Sequence, residues 1–173
     1  MRSRFEIGRG MRRRLLSEAS GISAAELRFT EDGNIKPYAE NAAGWDFNLS
    51  HAGEFVACAV ARGPVGIDIE LIRPVREMGS IVTRYFHPDE AAAWRAAGKD
   101  LREEAFFVLW SAREAAMKCT GLGLARGLSI TRVDPAILRE AEASARAGDA
   151  ALVVRRLEAP PGYVALVALA AGR

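Results

Sequence analysis

Apolar residues recur at helical spacing from Phe5 through Ile7, Met11, Leu15 and Leu16, which predicts a first helix over residues 4–19 ended by Ser20-Gly21. Ser23-Ala-Ala-Glu26 has the form of a capping box for one short turn. Residues 27–30 then alternate as a strand, and Asp32-Gly33-Asn34 reads as a turn. Residues 45–49 predict another strand, and the almost wholly apolar run 54–61 a buried one. Arg62-Gly63-Pro64 turns the chain into a strand over 65–70, so these last two strands are expected to form a hairpin.

Pro74 breaks the chain, and residues 78–86 read as a helix. His87-Pro88-Asp89-Glu90 opens the next, with proline in the first turn and acids at its positive end. That helix stops at Gly98. The longest helix covers 101–120 and is closed by Gly121 and Gly123. Residues 128–133, 151–157 and 163–170 predict three strands of a second sheet, with 134–150 a loop holding a short helix. The order of elements gives an α+β chain of two similar α/β lobes joined near 71–77, a first lobe at 1–72 and a second at 73–173.

Composition narrows the function classes. A chain of 173 residues, half of them hydrophobic, can build one medium domain or two small lobes. No run is apolar and long enough to span a membrane, and the arginine-rich start lacks the apolar stretch of a secretory signal. A net charge of +2 does not imply nucleic acid. Neither an aromatic-rich basic strand nor a recognisable reading helix is present, so a nucleic-acid module built on the N-terminal arginines is the weakest reading. Those arginines (Arg2, Arg4, Arg9, Arg12, Arg13 and Arg14) are either a solvated helix face or a phosphate-binding cluster. Cys58 and Cys119 lie in apolar runs without metal-site spacing, as buried thiols in a reducing cytoplasm would. Lysine occurs only at Lys36, Lys99 and Lys118 among 24 cationic side chains, which draws attention to sites where an ammonium does what a guanidinium cannot.

Three places carry candidate chemistry. In Gly66-Ile-Asp-Ile-Glu70, Asp68 and Glu70 are two apart on a strand and share a face, while Ile67 and Ile69 face the core. Such a pair is either a solvated strand end or a site for a hard cation such as Mg²⁺, held by carboxylates and substrate phosphates. On the long helix, Glu114 and Lys118 share a face with Trp110 one turn earlier. They form either an ordinary ion pair or a third metal carboxylate beside a phosphate-binding ammonium. In Asn48-Leu-Ser-His51, a loop reading puts His51 where an imidazolium meets phosphate or simply meets solvent.

Taken in order, four segments resemble the long, pseudodimeric 4′-phosphopantetheinyl transferases of the surfactin-synthetase-activating type. They are Glu31-Asp-Gly-Asn-Ile-Lys36-Pro37, Phe47-Asn-Leu-Ser-His-Ala-Gly53, Gly66-Ile-Asp-Ile-Glu70 and Trp110-Ser-Ala-Arg-Glu-Ala-Ala-Met-Lys118. The short, trimeric carrier-protein synthases have a similar strand at the very start of the chain, whereas 65 residues precede Gly66 here.

The resemblance implies a pseudodimeric fold with its active site at the lobe junction. It also implies Mg²⁺-dependent transfer of the phosphopantetheine arm of coenzyme A to a serine of an apo carrier protein, with release of 3′,5′-ADP. It assigns Asp68, Glu70 and Glu114 to the metal and Lys118 to the coenzyme A phosphates. Ser50 and His51 fall near the 3′-phosphate and pyrophosphate, and Arg4 and Lys36 among the basic residues holding the nucleotide. Glu114 is then the expected general base, with Lys118 and His51 supplying positive charge. Arg73, Arg76 and Arg84 are candidates for the surface that meets an acidic carrier protein.

The sequence departs from the family pattern at Arg113, where lysine is usual and the arginine reads as a tolerated exchange. Family members also carry several dozen residues ahead of the segment matching Arg4, so the first lobe is expected to be incomplete. The competing expectation is a relative that binds coenzyme A or a carrier protein without transfer. A cytoplasmic monomer, rather than a dimer, with no membrane or nucleic-acid partner completes the reading.

Overall fold

The computed structural model describes residues 4–30 and 36–172. It is a mixed α/β structure. The expected turn at 32–34, the first part of the segment before Lys36, and Arg2 of the arginine cluster lie outside the described residues.

Helix α1 runs Arg4–Ser20, and the strands β1 (Trp45–Ala52) and β2 (Phe55–Arg62) pair antiparallel beside it. Only part of the apolar stripe read from the sequence is buried. Phe5 and Ile7 are exposed, and α1 buries Gly8 and Arg12 together with Leu16 of that stripe. Glycine at position 8 lets the helix approach Leu49 and Val56. Arg12 lays its guanidinium over Phe29 at 4.1 Å and Phe47 at 5.4 Å, an arginine serving as a flat core residue. Arg13 donates to the carbonyls of Ala24 and Leu27 and so ties down the turn after α1. Both arginines brace the fold around α1, and Arg12 is buried rather than part of a solvated face. Leu16, Leu27, Ala39, Ala42 and Phe47 form a small first core. Residues 27–30 make one bridge, Phe29 to Ala39, rather than a strand.

The expected hairpin of β2 with β3 (Val65–Leu71) is not formed. Instead β3 pairs antiparallel with the last strand, in a five-stranded sheet of order β3-β7-β6-β5-β4. Its other members are β4 (Thr131–Val133), β5 (Glu142–Ala147), β6 (Ala150–Leu157) and β7 (Tyr163–Ala170). The local turn chemistry of Arg62-Gly63-Pro64 was outweighed by the longer ladder available to an apolar β3 in the centre of the molecule. Two further readings are corrected. Residues 124–130 are helix α5 (Leu124–Ile130), which leaves only three residues of strand there. The stretch 134–150 holds β5 as well as a 3₁₀ turn, because Ala145 and Ala147 alternate inward between polar neighbours. Strand β2 is only half-buried.

Helices α2 (Met78–Tyr85) and α3 (Pro88–Ala96) lead to α4 (Arg102–Thr120). The helix start read at His87-Pro88-Asp89-Glu90 is formed, with His87 capping α3 in a reciprocal capping box with Glu90. Gly121 closes α4 at φ +72°. The second core gathers on α4, with Phe106, Leu109, Ala112, Ala116, Val133, Val154 and Leu166 among its fully enclosed members. Cys119 is buried and Cys58 half-buried, and burial pushes both thiols up to about 11. Among the described residues no helix is long and apolar enough to cross a membrane.

The crossing of β3 under α4 positions everything that follows. A Cβ on Gly66 would lie 2.0 Å from the Ala115 carbonyl oxygen and 2.4 Å from the Cys119 nitrogen, inside a hydrogen bond of the helix itself. Gly66→Ala is expected to destabilise the fold by about 3 kcal/mol or more, because neither backbone can give way. Urea denaturation of the two proteins measures this, and a midpoint within error of the parent would overturn the close crossing.

Candidate functional site

Between Ala105 and Cys119 every residue of α4 is buried except Trp110, Glu114 and Lys118. These three lie at i, i+4 and i+8, so a single open stripe runs down an otherwise encased helix. Facing it is the row Gly66, Asp68 and Glu70 on β3, at strand spacing on one face. The glycine brings the helix close, and the two acids beyond it meet the open stripe.

Lys118 is the hub. Its Nζ lies 2.5 Å from Asp68 Oδ1 and 3.4 Å from Glu114 Oε2, and donates to Ser50 Oγ at 3.1 Å. Ser50 Oγ in turn donates to Asp68 Oδ1 at 2.9 Å. Asp68 is 2% exposed, and its second oxygen, Oδ2, is buried without a hydrogen-bond partner among the described residues. An orphaned carboxylate oxygen at such depth is costly unless something electropositive sits beside it.

Glu70 and Glu114 are short of positive charge too. Burial, and next the charge of Asp68, pushes the Glu114 carboxyl above its ordinary range. Lys118 and a hydrogen bond from Trp110 pull it back only in part. Glu70 is raised by burial and then by Asp68 and Glu114, against Arg73 and Lys118. Three carboxylates thus feel one another around a single ammonium. Among the described residues no three acidic, histidine or cysteine side chains are gathered closely enough to hold a metal ion as they stand. The donor set nevertheless fits a hard divalent cation: oxygen ligands, an unpartnered buried oxygen and unbalanced negative charge.

Ser50 also lines a cleft of about 420 Å³, shared with His51, Arg4, Arg9 and Arg12. His51 is exposed, and it lies on β1 rather than in a loop. Arg4 donates to the Gly53 carbonyl at the cleft's edge. Ser50, His51 and Arg4 therefore come together, and Ser50 joins their cleft to the carboxylates. Lys36 does not join them. Its Nζ pairs with Asp46 and donates to the Val65 carbonyl at 2.6 Å, at the far end of β1.

Two features around the candidate site escaped the sequence reading. Asp46, Asn48 and Ser50 alternate along β1 and accept the amides of Val65, Ile67 and Ile69 at 2.9, 2.9 and 3.4 Å. Their polar i, i+2, i+4 spacing was the available signal. Arg113, read as a tolerated exchange, is 1% exposed, and its two terminal nitrogens are engaged with buried Glu90 and three carbonyls.

Residues 64–164 match the family model of the 4′-phosphopantetheinyl transferase superfamily, and residues 3–62 match the 4′-phosphopantetheinyl transferase N-terminal model. The chain is 37% identical over 123 residues to 4′-phosphopantetheinyl transferase psf-1 of Bacillus pumilus, covering 71% of this chain and 52% of that protein. It is 34% identical over 152 residues to 4′-phosphopantetheinyl transferase HetI of a Nostoc species, covering 82% and 63%. It is 29% identical over 153 residues to 4′-phosphopantetheinyl transferase Sfp of Bacillus subtilis, covering 87% and 66%. The chain thus spans between half and two thirds of the length of these relatives.

Proposed function

The chain belongs to the 4′-phosphopantetheinyl transferase superfamily, and from that premise we propose that it transfers the phosphopantetheine arm of coenzyme A to a serine of an apo carrier protein. The observation that carries this reading is the open stripe of α4, where Glu114 and Lys118 meet Asp68 and its unpartnered oxygen.

Asp68, Glu70 and Glu114 would hold Mg²⁺, and the ion, when bound, supplies charge neutralisation for the diphosphate as its anhydride bond breaks. Lys118 exchanges part of its contact with Asp68 for phosphate oxygens beside it. His51, Ser50 and Arg4 hold the nucleotide end in their cleft, and Lys36 fixes the strand that carries them. The carrier serine oxygen forms a bond to the β-phosphorus, the P–O bond to the nucleotide phosphate breaks, and 3′,5′-ADP leaves with the electron pair. The serine proton passes to Glu114, directly or through a water.

The two-lobe division at 72/73 belongs to this proposal. It is supported by the two separate apolar clusters, one drawn from residues 16–47 and the other from residues 78–168. The site would then lie where β3 bridges them. The basic side chains Arg73, Arg76 and Arg84 suit the acidic face of a carrier protein. A monomer in the cytoplasm, where both thiols stay free, is the expected working form.

The test is mass spectrometry of an apo carrier protein incubated with the chain, coenzyme A and Mg²⁺. The expected result is the mass of one added phosphopantetheine, lost when EDTA is present. Coenzyme A binding by calorimetry with no mass change would instead identify a binding protein without transfer.

A further inference from the structure

No backbone ladder joins β1 to β3, although the two strands run side by side. On one side β3 pairs with β7 in the ordinary way. On the other, its outward amides at Val65, Ile67 and Ile69 are taken by side chains of Asp46, Asn48 and Ser50. Both series advance by two in the same direction. A row of side-chain acceptors therefore stands where a neighbouring strand would present carbonyls.

Each end of this seam is closed by a lysine. Lys36 bridges Asp46 and the Val65 carbonyl, and Lys118 bridges Ser50 and Asp68. The middle acceptor, Asn48 Oδ1, touches neither lysine and neither cluster of charge. Its partner is the amide of Ile67, the residue immediately before Asp68.

We propose that Asn48 is a positioning residue: by holding the Ile67 amide it fixes the height of β3 against β1, and so places the Asp68 carboxylate between Ser50 and Lys118. The seam is needed because side-chain period two makes register decisive. A slip of β1 along β3 would carry Ser50 and His51 away from Asp68, which stays under α4. The ladder with β7 fixes β3 relative to the sheet but says nothing of its height relative to β1, which carries Ser50 and His51. Asn48 supplies that link without touching the reacting atoms. The proposal rests on the metal-site reading for what Asp68 holds.

The experiment uses the full chain with Asn48→Ala and Asn48→Asp. Asparagine and aspartate both offer an Oδ acceptor, and alanine offers none. Amide hydrogen exchange of Ile67 is expected to speed up at least tenfold in Asn48→Ala, while amides of β6 keep the parent rates. Mn²⁺ affinity, read by calorimetry as a probe of the carboxylate site, is expected to fall about tenfold, as for other groups that orient a metal ligand. Asn48→Asp should keep Ile67 slow and Mn²⁺ affinity within about threefold of the parent.

Unchanged exchange at Ile67 in Asn48→Ala would overturn the seam. Faster exchange with undiminished Mn²⁺ affinity would overturn the positioning role while sparing the metal site. An aspartate variant as impaired as the alanine one would overturn the acceptor argument. A parent chain that binds no Mn²⁺ would overturn the metal reading itself, and this role with it.

Discussion

Glu114→Gln is expected to slow phosphopantetheine transfer by about a thousandfold while leaving the chain folded and, without metal, slightly more heat-stable than the parent. The first half follows from the two duties proposed for one carboxylate. Glutamine cannot accept the serine proton, and its amide is a poor ligand for a hard cation. The second half follows from the electrostatics of the carboxylate cluster itself. Burial and the charge of Asp68 hold the Glu114 carboxyl above its ordinary range. A carboxyl raised in this way binds its proton more tightly in the folded chain than in the unfolded one. Its contribution favours the fold at acid pH and is lost as the pH rises through the raised value. At neutral pH the ionised group costs stability, and a neutral isostere removes that cost. Lys118 loses one partner but keeps Asp68 and Ser50. Transfer assayed by mass spectrometry, beside a thermal melt in EDTA at neutral pH, reads both halves. Transfer at the parental rate would overturn the assignment of Glu114. A lower midpoint would mean that the Lys118 pair outweighs burial and repulsion.

This opposition between stability and chemistry explains which parts of the site could be read from the sequence. Functional groups that break a local rule stand out. Two acids side by side on an apolar strand, and an acid and a lysine on a helix buried on nearly every side, are such breaks, and they made Asp68, Glu70, Glu114 and Lys118 the candidates that the structure brings together. The same holds for elements with local punctuation. Pro88 with the acids Asp89 and Glu90, and the glycine after Thr120, marked their helices within two residues.

What escaped depends on partners distant in the chain. Nothing between Arg62 and Val65 says that β3 prefers β7, a hundred residues later, to its neighbour β2. Arg12 looks solvent-facing until Phe29 and Phe47 are seen stacked beneath it. The acceptors on β1 look like ordinary surface residues of a strand, because their partners are backbone amides, which every sequence has. Of the nucleotide candidates, Ser50, His51 and Arg4 do share a cleft, but Lys36 is drawn away by Asp46, a carboxylate whose importance the sequence alone did not advertise.

Arg113 presents the same lesson with a larger expected energy. Its guanidinium lies wholly inside the protein, against Glu90, whose exposure is 0%. One nitrogen donates to both Glu90 oxygens, at 3.1 and 2.8 Å, and to the Thr131 carbonyl at 2.6 Å. The other donates to the carbonyls of Tyr85, at 2.8 Å, and Leu128. Glu90 also accepts from the amides of His87 and Val133, at 2.8 and 2.7 Å. One buried ion pair therefore fastens the end of α2, the start of α3, α5 and the first turn of sheet after it to the helix that carries Glu114. Burial pulls the guanidinium down and Glu90 opposes it, so much of the attraction is spent on desolvation. A pair of this kind adds little net stability while it is intact. Breaking it is another matter, since Arg113→Met leaves an uncompensated carboxylate and three unmet carbonyls in the core. The expected loss is about 3–5 kcal/mol, read as a lower urea midpoint. Arg113→Lys keeps the charge but offers three donors from one point where five acceptors are spread around a planar fork, and is expected to lose about 1–3 kcal/mol. Glu90→Gln combined with Arg113→Met should lose less than the two single losses added together, because the stranded charge is gone. A methionine variant within about 1 kcal/mol of the parent would show that the pair is open to water in solution, and that α4 is held in place by apolar packing alone.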